Sequence, residues 1–148
     1  MRNLLPILAF ALFAAAQPAA AAELIEKRSP HSVGETLDRL EAVLEEKGIG
    51  VMARIDHQAN AESVDMELRP TQLLIFGNPA IGTRLMQAEQ TLGIELPMKA
   101  LAFEDAEGQV WIAYEDPAVF AKRRGLSPDH EIVGKVSGAL DALTTAAV

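Results

Sequence analysis

Apolar residues recur at Val33, Leu37, Leu40 and Leu44, three or four positions apart, while Glu41, Glu45, Glu46 and Lys47 fall mostly on the opposite side. That spacing predicts an amphipathic helix. Ser32 and Glu35 supply a Ser-x-x-Glu capping box at its start, and Gly48 stops it. The period then shortens to two. Val51, Ala53 and Ile55 alternate with Met52, Arg54 and Asp56, the pattern of a half-buried strand. Before the helix, Leu24 to Lys27 reads as a short first strand and Arg28 to His31 as a turn. After the second strand, polar His57 to Glu62 reads as a flexible loop and Val64 to Leu68 as a short extended piece.

Thr71 to Phe76 is the densest apolar run and is expected to be the central strand. It leads into Gly77-Asn78-Pro79, a strand-to-helix junction: Gly77 permits the bend, Asn78 caps with its side-chain oxygen, and Pro79 suits the first helical turn. Ile81, Leu85, Ala88 and Leu92 mark the inner face of this helix, which Gly93 is expected to end. Met98 to Glu104 and Gln109 to Tyr114 form a hairpin about the Asp105-Ala106-Glu107-Gly108 turn. Asp116-Pro117 and Ser127-Pro128 repeat the cap-plus-proline device, the first starting a short helix through Arg124. The second starts a terminal helix over 128–147 with Ile132, Val136, Leu140 and Leu143 inward.

This order implies an α+β domain, a mostly antiparallel sheet with helices packed on one face. In the hairpin, Trp111 and Ala113 have the opposite parity to Val110, Ile112 and Tyr114, so both sheet faces carry aromatic or branched residues. A second apolar face in a small domain is suited to cover by another copy, and a homodimer is expected.

Residues 1–22 read as a cleavable signal peptide: Arg2, the apolar stretch Leu4 to Ala16, and small residues up to Ala22, where cleavage is expected. The apolar stretch is shorter than the roughly 20 residues that span a bilayer. Periplasmic or secreted localisation follows, with residues 23–148 forming one domain and no membrane association after cleavage. The net charge of −8 over 148 residues disfavours nucleic acid and anionic lipid as partners. Zero cysteines exclude thiolate chemistry and leave packing alone to hold the fold.

The run Leu68 to Pro79, then Leu85-Met86-Gln87-Ala88, Leu96 to Leu101, and Val110 to Tyr114 before Asp116-Pro117, resembles the bacterial "domain of unknown function 302" family, over about 33–126. The resemblance implies a compact α+β domain grouped with TATA-binding-protein-like folds and commonly dimeric, and it brings no assigned activity. Arg84 stands where related sequences often have proline, and Glu89-Gln90 where Asn-Pro is common.

Candidate chemistry is sparse. Asn78 and Arg84 suggest an anion pocket at the helix start, against the plainer reading of a capped helix with a surface arginine. Lys99 shares the parity of Leu101 and Phe103 and is placed to pair with a carboxylate, or to lay its stem over apolar surface. His57, beside Asp56, follows a strand, yet no spacing joins it to His31 or His130 as a metal set. Tyr114 with Trp111 offers stacking or core packing. Met52, Met66, Met86 and Met98 suit copper(I) by type, and core filling by position. No serine has a nucleophile setting. The chain is therefore read as an exported, non-catalytic binding or self-associating module without a cofactor, its partner a second copy, a small ligand or a periplasmic protein. The alternative is a small-ligand enzyme or metal-handling protein with a cleft near Asn78.

Overall fold

A computed structural model describes residues 23–148; the expected signal peptide and its cleavage after Ala22 lie outside the described residues. The elements are β1 (Leu24–Ser29), α1 (Val33–Glu46), β2 (Gly50–Asp56), α2 (His57–Glu62), β3 (Thr71–Gly77) and α3 (Pro79–Ala88), then a 3-10 helix (Gln90–Ile94), β4 (Met98–Glu104), β5 (Val110–Glu115), α4 (Pro117–Arg123) and α5 (Glu131–Ala147). The strands form one antiparallel sheet in the order β1-β5-β4-β3-β2.

Side-chain parity divides the sheet into two faces. Leu74 and Phe76 of β3, Ala100 and Ala102 of β4, and Ile112 and Tyr114 of β5 are buried on one face against Leu37, Leu40 and Leu44 of α1 and Val133, Val136, Leu140 and Leu143 of α5. Ala100 and Ala102 are small residues on the middle strand, and α1 lies across them. On the other face Leu73, Ile75, Leu101, Phe103 and Trp111 remain half-buried. Arg28 lies 5.9 Å from the Trp111 ring on that side.

Helix termini follow local rules. The Ser32 side chain accepts from Glu35 N–H at 3.2 Å, and Asp116 accepts from Ala118 N–H at 2.9 Å. At the end of α1, Gly48 takes φ +65° while Ile49 N–H reaches Leu44 C=O and Gly48 N–H reaches Glu45 C=O, a Schellman closure.

Several local expectations are corrected. β1 runs on to Ser29, because Arg28 and Ser29 pair with Trp111 and Val110. Residues 57–62 are helical: the Asp56 side chain accepts from Ala59 N–H at 2.9 Å, and Asp65 at φ 57° closes the far end. No strand forms over 64–68, where Val64, Met66 and Leu68 are exposed. β4 takes the middle of the sheet, with β3 between it and β2. α3 stops at Ala88, which is exposed, because Glu89 adopts an extended backbone and caps the following 3-10 turn through Thr91 N–H. The last helix begins at Glu131, with His130 as its cap, and Ser127-Pro128 belongs to the preceding turn.

The two faces differ in how much burial each residue loses on truncation. Leu74→Ala, at a fully buried site, is expected to cost about 2–5 kcal/mol. Leu73→Ala, one residue away and half-buried, is expected to cost less than half of that. Urea unfolding followed by Trp111 fluorescence measures both; equal losses would contradict the parity.

Candidate functional site

A cleft of about 450 Å³ opens between the start of α3, the 3-10 turn and α5. Its floor includes Phe76 and Met98 from the sheet; Ile81 and Leu85 of α3 form one wall, Val136, Leu140 and Leu143 of α5 another. The lining is almost wholly apolar. Gly77, Gly82 and Gly93 border it, and a Cβ on Gly93 would meet Met86 Sδ at 3.3 Å, so the glycine leaves room for that thioether. Met52, Met86 and Met98 all line the cleft, whereas Met66 is exposed elsewhere. Methionine walls are flexible and polarizable, suited to apolar guests of more than one shape.

Polar groups reach the cleft at few places, among them Asn78, Thr83 and Lys135. Asn78 Oδ1 accepts from Ala80 N–H at 2.9 Å and from Ile81 N–H at 3.4 Å, which leaves its amide NH₂ directed elsewhere as a donor. Lys135 pairs with Glu131 at 2.6 Å one helical turn away, both side chains being largely exposed.

The other expected site residues are dispersed. Arg84 is exposed on α3; its charge helps, after Lys135 and His130, to hold the Glu131 carboxyl below the usual carboxylate range. Lys99 and Tyr114 border a second pocket of about 190 Å³ with Glu95 and Glu115, apart from Asn78. Lys99 Nζ donates to the Glu95 and Pro97 carbonyls at 3.1 Å. Tyr114 is buried, and burial, then the Asp141 charge, pushes its phenol up. His57 opens α2 and borders neither pocket. Among the described residues no group of three or more His, Asp or Glu side chains is placed to hold a metal ion.

The comparisons bear on this geometry. The family model described as "Domain of unknown function DUF302" matches residues 25–143. The chain belongs to the DUF302 family. The match takes in β1 and most of α5, more than the 33–126 span that the sequence resemblance covers. A crystal structure of an uncharacterized conserved DUF302 protein from Bacillus stearothermophilus superposes with TM-score 0.79 at 20% identity, over 86% of this chain and all of that one, and shares the α+β fold. The chain is also 46% identical over 117 residues to the Brucella suis protein named fluoride-specific ion channel FluC 1, covering 78% of this chain and 46% of that one. A Brucella melitensis protein named fluoride-specific ion channel FluC 2 matches at the same identity over 43% of its length. The DUF302 chain thus spans less than half the length of the curated relatives it matches.

Two charged clusters were not legible from spacing. Arg54 projects toward α1, donating to Asp38 at 2.6 Å, Glu41 at 3.2 Å, the Gly34 carbonyl at 3.0 Å and Gln72 at 2.9 Å. Arg124 at 2.7 Å and Arg123 at 3.3 Å converge on Glu95, whose side chain is 11% exposed. Burial alone would raise the Glu95 pKa, but the hydrogen bonds from Arg124 and Arg123 outweigh it and the net direction is down. A carboxylate with a depressed folded pKa contributes stability that is present above its unfolded pKa and lost as pH falls toward the folded value. Thermal unfolding between pH 7 and pH 3 is expected to show Glu95→Gln less stable than the wild type near neutrality, with the gap closing as the medium becomes acidic. A gap constant over that range would contradict the assignment.

Proposed function

We propose that this DUF302 domain is an exported, non-catalytic binding module whose ligand is a small molecule with an apolar body held in the cleft beside Asn78. The carrying observation is the cleft itself, about 450 Å³ with apolar walls and polar groups confined to its border, within the size range of small-ligand sites. The leader-like residues 1–22 support delivery to the periplasm or outside the cell. In the Brucella proteins, named as ion channels, a similar segment is part of a longer polypeptide. A domain that recurs within polypeptides named as channels fits an accessory binding role.

Ala139, exposed on α5 at the cleft, permits a direct test. A neutral fluorescent probe such as N-phenyl-1-naphthylamine is expected to brighten on binding the wild type. Ala139→Trp, which fills the opening without touching the core, is expected to weaken that binding at least tenfold at unchanged melting temperature. Absence of wild-type binding, or binding indifferent to Ala139→Trp, would remove the reading.

A second reading concerns self-association and rests on the other side of the sheet. Leu73, Ile75, Leu101, Phe103 and Trp111 form a contiguous half-buried apolar surface across three strands. Surfaces of this kind are commonly covered by a second copy. Native mass spectrometry of the wild type is expected to show a dimer, and Phe103→Glu a monomer. A monomeric wild type at micromolar concentration would contradict it.

A further inference from the structure

Resting on the cleft reading above, we infer that the ligand is a single-chain anionic amphiphile: a hydrocarbon tail fills the cleft and its carboxylate lies at the Lys135 end. Three observations converge. The cleft volume of about 450 Å³ lies within the range of sites that take one small ligand. The walls are hydrocarbon and thioether, with no buried side-chain nitrogen or oxygen left unpaired among the described residues, so the interior asks for nothing polar from its guest.

Each of the polar side chains on the border can donate a hydrogen bond. Lys135 is a donor only. Asn78 has committed its oxygen to the α3 backbone and retains its amide NH₂, while the Thr83 hydroxyl can donate. Arg84, exposed between the cleft residues Thr83 and Leu85, makes no ion pair among the described residues. Lys135 and an amide donor at one apolar opening, with Arg84 near enough for its charge to act on Glu131, complement an anionic head despite the chain's net charge of −8. Glu131 is the competing acceptor for Lys135. That pair is exposed on both sides, and exposed pairs contribute little, so a ligand carboxylate exchanges with it at small cost. Lys135 lines the cleft with a largely exposed side chain, which lets its ammonium stay in water while the tail is buried.

The test is displacement of N-phenyl-1-naphthylamine from protein expressed as the full chain, using dodecanoate, dodecanol and phosphatidylglycerol vesicles as competitors. Dodecanoate is expected to displace the probe at about a tenfold lower concentration than dodecanol. In Lys135→Gln combined with Arg84→Gln, that preference, read as the ratio of the two competitors against the same probe, is expected to shrink to about twofold. Equal competition by dodecanoate and dodecanol would overturn the anionic head and leave the cleft reading intact. Displacement by vesicles but not by free dodecanoate would overturn the single-chain ligand in favour of a membrane surface. Failure of the probe itself to bind the wild type would take away the cleft reading on which this inference rests.

Discussion

The close seating of α1 on the middle of the sheet is the constraint from which the rest follows. Leu37, Leu40 and Leu44 are fully buried, and the residues below them on β4, Ala100 and Ala102, are small enough to let the helix approach. With no disulfide available, this packing and its extension along α5 must supply the main favourable term of folding. The position of α1 is fixed from both sides. Its apolar stripe is held by the sheet, and Asp38 and Glu41 on its flank are held by Arg54, which reaches over from β2. An arginine whose side chain remains 28% exposed keeps part of its hydration, so the contact orients the helix more than it adds stability.

The cleft is a consequence of that arrangement. α1 and α5 occupy one part of the helical layer, and α3 leaves β3 through the Gly77-Asn78-Pro79 junction. The glycines along the gap, Gly77, Gly82 and Gly93, keep side chains from closing it, and the neighbours of their missing Cβ atoms are Met52, Met86, Leu96 and Pro97. The cavity is apolar for a structural reason: its floor is the core face of the sheet, and the inward stripes of α3 and α5 supply two of its walls.

Most of the architecture was legible because it is written in local periods. The alternation through Val110–Glu115 identifies a strand without deciding which of its faces is buried, the three-to-four spacing in Val33–Glu46 identifies a helix and its buried side, and the capping oxygens of Ser32, Asn78 and Asp116 mark three starts correctly. What failed had little hydrophobic signal or a competing one. The His57–Glu62 helix is polar and buries no residue, so only its Asp56 cap announces it. Ser127-Pro128 resembles a helix start, yet the cap at His130 lies nearer the apolar stripe and prevails. Of the site, Asn78 stands at the cleft, but Lys135 and the three methionines are brought there from distant elements, and no spacing in one chain reveals which inner faces remain unfilled. Arg54 was hidden for a similar reason: parity places it on one face with Asp56, and only the tertiary path of α1 brings two carboxylates to it.

The edges of the sheet help to explain why the open face can stay apolar. Unpaired strand edges invite edge-to-edge pairing, and charge or irregularity discourages it. β1 presents Glu26, Lys27 and Arg28 in succession, with Lys27 tied to Asp141 at 2.8 Å. β2 is interrupted between Val51 and Ala53, where the register shifts and Met52 is left over as a bulge, and it turns directly into α2. Both borders therefore resist continuation of the sheet by another strand. Leu73, Ile75, Leu101, Phe103 and Trp111 lie on strands inside those borders, so the self-association proposed for them would be face to face. Face-to-face contact involves side chains and leaves the backbone ladder intact, so the proposed dimer would be a closed pair.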